Sequence, residues 1–311
     1  MSKSYSPAWR MISVVVLYPL LRSLIRNKWT GRENIPKSGG VILAPNHLSY
    51  VDWGTDALFL YAGTRRYPVF LIKDSAFKVK FIGHFLYKAG QLPVRRGRAD
   101  AALVLKEAEK ALAEGAAVII YPEATATRDP DLWPMVSKTG VARLALASGA
   151  PVIPVAHWGT HDILPYGSKK ARLFPRKTVR TVAGPPVDLS QWAGQQSSAK
   201  ALRAATSAIM AEVAALVGQL RGEEPPAVPY DPSLPSKTIP AGSGAGTDPG
   251  AAGAAEAGAT EAGATEAGAD STRRLRCSAP TPGAPRSRRS SGTLARQPCC
   301  GRAAGQSPTR S

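Results

Sequence analysis

Short apolar runs, each bounded by turn-forming residues and followed by a stretch free of helix breakers, are the feature that most restricts the fold of this chain. Such runs are typical of strands buried on both faces of a sheet, and the stretches between them are long enough for helices. Five runs and a possible sixth lie at residues 41–44, 69–72, 91–94, 117–121, 152–157 and 178–183. Strands that alternate with helices predict a single α/β domain with a mixed, largely parallel sheet covered by helices.

The composition changes sharply at residue 222 and divides the chain. Of the 90 residues from 222 to 311, 61 are Gly, Ala, Pro, Ser or Thr, and near-identical five-residue units recur from Glu256 onwards. A segment of this kind cannot bury enough apolar surface to offset its chain entropy. We therefore predict a folded domain over residues 31–221, preceded by a helical segment over residues 1–30 and followed by a disordered low-complexity tail over residues 222–311.

The net charge of +18 lies almost entirely on the part of the chain that can fold. The tail holds 10 basic and 8 acidic residues, which leaves a net charge of +16 on residues 1–221. This excess indicates an anionic partner, such as phosphate groups, an anionic membrane surface or nucleic acid. The basic residues are scattered and no nucleic-acid motif is evident, so specific nucleic-acid binding is not expected. All three cysteines lie in the tail, so no thiolate metal site is expected in the domain.

An apolar run near the start of the chain covers residues 11–21, interrupted by Ser13 and Pro19 and flanked by Arg10 and Arg22. A helix that spans a membrane needs about 20 apolar residues, so this run is too short. Nearby aromatic and basic side chains suit a helix that lies in the headgroup region of a membrane. The alternative is a buried helix that packs on the domain.

The segment from Asn46 to Asp52 follows the first predicted strand directly. Loops that leave strand ends are where α/β folds place ligands and catalytic groups. His47 can take up a proton near neutral pH, and a carboxylate on its far ring nitrogen would fix the tautomer and stabilise the imidazolium. Asp52 is the candidate for that carboxylate, and a simple helix cap is its alternative role.

Three further segments follow in order, at residues 90–97, 121–128 and 152–155. The first contains Arg95 and Arg96, the second contains Glu123 and Thr125, and the third reads V-I-P-V. Together with N-H-x-x-x-x-D at residues 46–52, these segments resemble the four motifs of the glycerophospholipid acyltransferase family, which includes 1-acylglycerol-3-phosphate acyltransferases.

The third motif departs from the family pattern F-P-E-G-T-R-S. Here it reads Y-P-E-A-T-A-T, with Ala124 in place of the glycine and Ala126 in place of the arginine. In the family, these two positions are associated with holding the acceptor's phosphate, and Arg128 is a candidate for partial replacement. The methyl group of Ala124 would restrict the approach of a ligand if the position requires a positive φ.

The resemblance implies transfer of a fatty acyl group from acyl-CoA or acyl-carrier protein, as co-substrate, to a hydroxyl of lysophosphatidic acid or a related lysophospholipid. His47 would be the general base and Asp52 its orienting partner. The predicted substrate-binding residues are Arg96, Glu123, Thr125, Arg128 and Lys73. Among these, Glu123 is suited to ordering the site because its charge makes it a poor phosphate ligand. No metal or cofactor is expected.

The implied partners are membrane phospholipids, acyl-CoA and the lysophospholipid acceptor, at the cytoplasmic face of the cell membrane, with peripheral or monotopic attachment. Two alternatives stay open: an acyltransferase with a different acceptor, such as a glycolipid, and a catalytically impaired lipid-binding homologue. A hydrolase is disfavoured because no G-x-S-x-G segment occurs. The other histidines, His84, His157 and His161, are expected to be structural. The sequence leaves the oligomeric state open.

Overall fold

The fold is built on a seven-stranded sheet in a computed structural model that describes residues 6–94, 98–168 and 170–234. The strand order is β1-β7-β6-β2-β5-β3-β4, and every pairing is parallel except that of β6 with β7. The strands are β1 Ile25–Thr30, β2 Val41–Pro45, β3 Pro68–Lys73, β4 Leu92–Val94, β5 Ala117–Ile119, β6 Val152–Trp158 and β7 Lys177–Ala183. The predicted mixed, largely parallel sheet is confirmed.

Helices cover both faces of the sheet, as predicted. They are α1 Pro7–Ile12, α2 Tyr18–Leu24, α3 Asp52–Thr64, α4 Asp74–Phe77, α5 Ile82–Lys88, α6 Arg98–Ala113, α7 Gly140–Ser148 and α8 Ala199–Arg221. The central strand β2 is buried throughout, and its alternate residues enter two different cores. Ile42 packs with residues of α6, α7 and α8, whereas Leu43 packs with Phe59 and Leu60 of α3. This two-sided burial explains why the strand reads as a continuous apolar run.

The predicted helical segment over residues 1–30 is wrong in its last six residues. A π-helical turn, Ser13–Leu17, joins α1 to α2, and then Ile25–Thr30 forms β1 at the sheet edge, parallel to β7. Along β1 the buried or half-buried Ile25, Asn27 and Trp29 alternate with exposed residues. This two-residue period is the pattern of a strand with one face towards solvent.

The predicted boundary of the tail at residue 222 comes too early. The structure describes residues 222–234, and the Tyr230 carbonyl accepts a hydrogen bond of 2.9 Å from the Val136 amide. Arg221, at the end of α8, stacks on the Trp133 and Trp158 rings. These contacts hold the chain beyond α8 against the loop that precedes α7. Residues 235–311, which include the cysteines and most of the predicted tail, lie outside the described residues.

Within the described part of the chain, α8 alone is long and apolar enough to cross a membrane by length and composition. Half of its apolar stretch is buried inside the domain. Its Leu202, Ala205 and Ile209 belong to the main core, so α8 packs as a core helix.

Candidate active site

His47 and Asp52 meet in the loop between β2 and α3. His47 Nδ1 lies 2.8 Å from Asp52 Oδ2, which also accepts the backbone amides of Leu48 at 2.7 Å and Ser49 at 2.8 Å. The carboxylate therefore folds the loop and orients the imidazole at once. With its Nδ1 proton donated to Asp52, His47 keeps Nε2 available to accept a proton.

Asp52 is fully buried. Burial by itself raises the pKa of this carboxyl, but the charges of His157 and His47 and their hydrogen bonds outweigh burial and hold the pKa well below its ordinary value. Asp52 is therefore a carboxylate at every physiological pH.

Glu123 ties the third-motif loop to the His47 loop. Its Oε1 accepts the backbone amide of His47 at 2.9 Å, and its Oε2 accepts that of Met135 at 3.1 Å. Thr127 adds a third link, since its amide donates to the His47 carbonyl at 2.7 Å. Burial raises the pKa of Glu123 to about 8, although the two amide donors oppose this. These contacts fix the backbone on both sides of the histidine ring.

A large apolar cavity of about 1660 Å³ opens beside His47. Its walls come from the N-terminal helices, α3, β3, α5 and α6, with side chains such as Ile12, Leu21, Leu58, Phe70, Phe85 and Leu105. Three lysines, Lys73, Lys80 and Lys138, also line it. The site thus places a proton acceptor, His47, beside an apolar cavity whose wall also carries lysine side chains. Among the described residues, no cluster of three or more ligating side chains could hold a metal ion.

Comparison with known proteins finds similarity to acyltransferases. A family model described as Acyltransferase matches residues 26–158. A 1-acyl-sn-glycerol-3-phosphate acyltransferase of Borreliella burgdorferi is 34% identical over 134 residues, which cover 43% of this chain and 51% of that protein. Its counterpart of Bacillus subtilis is 28% identical over 190 residues, which cover 61% of this chain and 87% of that protein. Residues 26–158 are an acyltransferase domain.

The relatives are matched over different shares of their own length. The chain spans about half the length of the Borreliella burgdorferi relative, and 43% of chloroplastic 1-acyl-sn-glycerol-3-phosphate acyltransferase BAT2 from Brassica napus, to which it is 29% identical over 52% of its own length. The crystal structure of the 1-acyl-sn-glycerophosphate (LPA) acyltransferase PlsC from Thermotoga maritima matches with a TM-score of 0.54 at 24% identity. That match covers 69% of this chain and 82% of the other, and it shows a shared fold.

The two altered positions of the third motif, Ala124 and Ala126, lie in different surroundings. Ala124, where the family has glycine, has a φ of 61° and lines the cavity. The position therefore does adopt the left-handed conformation that favours glycine. Ala126, where the family has arginine, is fully buried.

The predicted substrate-binding residues are not all brought together. Lys73 and Thr125 line the cavity with His47. Glu123 is buried, and its oxygens accept backbone amides. Arg128 is exposed and is absent from the described residues that line the cavity. Arg96 lies outside the described residues.

Three residues beside the site were not assigned to it from the sequence, namely His157, Asp56 and Tyr121. His157, expected to be structural, is fully buried with Nε2 at 3.2 Å from Asp52 Oδ2 and Nδ1 at 3.1 Å from Asp56 Oδ1. The Tyr121 hydroxyl donates to Asp56 Oδ2 at 2.7 Å, and the Tyr121 ring stacks on His47 with centroids 4.3 Å apart. A usable signal existed: His157 ends the apolar run of β6, and parallel neighbours such as β2 and β6 end at the same sheet edge.

Proposed function

We propose that this protein is an acyltransferase that moves a fatty acyl group from an acyl thioester to the free hydroxyl of lysophosphatidic acid. The observation that carries the proposal is the His47–Asp52 pair, at 2.8 Å, beside an apolar cavity of about 1660 Å³. The relatives are named 1-acyl-sn-glycerol-3-phosphate acyltransferases, which supports the same acceptor.

In the proposed reaction, His47 acts as the general base. Nε2 takes the proton of the acceptor hydroxyl while that oxygen attacks the thioester carbonyl. An ester bond forms, the carbon–sulfur bond breaks, and the thiolate leaves with the proton that His47 had taken. Asp52 holds the productive tautomer and stabilises the imidazolium. No covalent enzyme intermediate is needed, because the acceptor hydroxyl is itself the nucleophile.

The cavity wall suits the fatty acyl chain, because burial of methylene groups supplies about 0.8 kcal/mol each. We assign the donor as acyl-CoA or acyl-carrier protein. The phosphate of the acceptor requires cations, and among the three lysines that line the cavity Lys138 is nearest in the chain to the altered motif. Its backbone amide donates to the Pro122 carbonyl at 2.9 Å, which ties it to the third-motif loop. We assign Lys138, with Lys73 and Arg96, to the phosphate in place of the missing motif arginine.

Attachment to a membrane is part of the proposal because the substrates are lipids. Large apolar side chains of α1, the π-helical turn and α2 are exposed, namely Met11, Ile12, Val15, Val16 and Leu20. Arg10 and Arg22 flank them, which is the pattern of an interfacial helix. We propose peripheral or monotopic attachment at the cytoplasmic face of the cell membrane, where acyl-CoA and acyl-carrier protein are available.

The test is an assay of the full chain with acyl-CoA and lysophosphatidic acid in phospholipid vesicles. We expect free CoA and diacylated product to appear in equal amounts. A parallel panel of lysophospholipids with headgroups addresses the second candidate acceptor, which the loss of arginine at position 126 favours. Lipid binding without CoA release above background for any acceptor would overturn the proposal.

A further inference from the structure

His157 occupies an unusual place between two acidic side chains of α3. Its ring is fully buried at the end of β6, with Asp56 at Nδ1 and Asp52 at Nε2. Asn46 fixes the backbone of His157 from both sides, since its Oδ1 accepts the His157 amide at 2.9 Å and its Nδ2 donates to the His157 carbonyl at 3.1 Å. These bonds fix the backbone from which the ring projects between the two carboxylates.

The two contacts together favour protonation of the ring. A neutral imidazole carries one N–H, so one of its two carboxylate neighbours would face a nitrogen lone pair. Only the imidazolium presents an N–H to Asp56 and to Asp52 alike. Within the described residues, His157 Nε2 is buried without a hydrogen-bond partner, and Asp52 Oδ2 lies 3.2 Å from it, so charge attraction links the two groups.

The charges around His157 favour the imidazolium. Burial lowers the pKa of His157, but the carboxylates of Asp52 and Asp56 outweigh burial and raise it well above the ordinary value. Glu123 and His161 also interact with His157 electrostatically, from the third-motif loop and from the segment after β6. The imidazolium and the two carboxylates together then carry a net charge of −1.

We infer that His157 is a permanently protonated positioning residue that acts through Asp52 on the base His47. The two histidines share one oxygen, Asp52 Oδ2, at 2.8 Å from His47 and 3.2 Å from His157. The His157 cation keeps Asp52 ionised, so that its charge is ready when His47 becomes an imidazolium. The same cation opposes a second positive charge on His47. This role rests on the proposed function of His47.

Tyr121 connects Asp56, the second partner of His157, to His47. Its hydroxyl donates to Asp56, and its aromatic face lies on His47 at an interplanar angle of 24°. A phenylalanine, as in the family pattern, would keep the stacking and lose the hydrogen bond. The Tyr121 hydroxyl thus supports the position of His157, because it fixes Asp56, the carboxylate that contacts Nδ1 of the imidazolium.

The decisive variant is His157→Gln, which removes the charge and keeps a polar side chain. We expect the acidic limb of the pH–rate profile to move to higher pH by about one unit, because a cation near the base is lost. kcat falls, whereas KM for the acyl donor stays unchanged, because His157 is absent from the described residues that line the cavity. His161→Gln is the matched control. Burial lowers the pKa of His161, so that variant removes an imidazole that is protonated less readily, and we expect it to leave the profile unchanged.

A second variant separates this role from folding. His157→Gln leaves Asp52 and Asp56 buried without their shared cation, so its unfolding free energy falls. His157→Gln combined with Asp56→Asn removes one of those charges and keeps an acceptor for Tyr121, so stability recovers. The displaced pH profile remains. Recovery of the wild-type profile and kcat together with stability would show a structural role only and overturn the inference.

Nitrogen NMR of the imidazoles tests the protonation without an activity assay. In the full chain we expect both His157 ring nitrogens to carry protons from pH 6 to pH 8. An unprotonated ring nitrogen at neutral pH would overturn the inference even in an active enzyme. A chain that transfers no acyl group while His157 is doubly protonated would contradict the proposed function alone.

Discussion

Individual residues depart from the acyltransferase motif pattern, and position 124 shows this most clearly. The loop requires a φ of 61° there, and the chain has alanine. A left-handed conformation costs an L-residue with a Cβ roughly 1–2 kcal/mol. The strain lies in the loop that carries Glu123, so it is stored beside the base.

Ala124→Gly relieves that strain and should raise the free energy of unfolding by up to about 1 kcal/mol, after the greater chain entropy of glycine in the unfolded state is subtracted. Urea denaturation of the two proteins measures the change. Ala126→Gly is the matched control, because this nearby buried alanine has no positive φ and its replacement should destabilise the fold. A less stable Ala124→Gly variant would contradict the account.

Local spacing in the sequence predicted the His47–Asp52 contact, which lies within one short segment. His47 and Asp52 are five residues apart, so their contact could be expected from the turn between β2 and α3. His157 and Tyr121 reach the site through the sheet, and Asn46 meets His157 across 111 residues. Such a contact depends on register, with Pro45 paired to Val155, which no local pattern specifies.

At the scale of elements, burial on both faces made β2 and β6 predictable. The mixed composition of β1, α4 and α5 gave no clear pattern, so these elements were not predicted. β1 carries Arg26 and Lys28 on its exposed face and follows directly on a helix, so it read as part of that helix. The short α4 and α5 escaped prediction because a few residues of mixed polarity carry no helical period. The N-terminal helices were predicted, and their exposed apolar side chains support contact with lipid.

Met11→Glu combined with Val15→Glu tests that contact. Both side chains are 64% exposed and lie outside the cavity lining, so the fold should persist. Removal of two apolar anchors should weaken partitioning onto anionic vesicles by at least roughly tenfold, since each buried side chain of this size supplies about 1.5–3 kcal/mol. Co-sedimentation measures the effect. Val228→Glu, at a valine 80% exposed, is the control, and equal binding by all three proteins would refute interfacial attachment.

The whole molecule combines a large positive charge with buried acidic groups, and this makes its stability depend on pH. The folded pKa of His157 lies well above its ordinary value of 6.5, and that of Glu123 is about 8 against an ordinary 4.5. Both groups therefore bind more protons in the folded chain than in the unfolded chain. Stability is greatest while the unfolded groups are still protonated, and it is lost as pH rises through the folded pKa values.

The free energy of unfolding should therefore fall between pH 7 and pH 9, by roughly 1–3 kcal/mol. Chemical denaturation at constant ionic strength measures it. The decline should be much shallower in His157→Gln, since glutamine binds no proton in either state. A stability that is constant or rises over this range would contradict the protonated state assigned to His157.

The most direct test of the central claim compares CoA release by the wild-type chain and by His47→Ala, with acyl-CoA and lysophosphatidic acid in vesicles. Loss of a general base should lower the rate by roughly 10²–10⁴-fold. His161→Ala serves as the control, and unfolding curves establish that both variants fold. Full acyl transfer by a folded His47→Ala variant would contradict the assignment of His47 as the base.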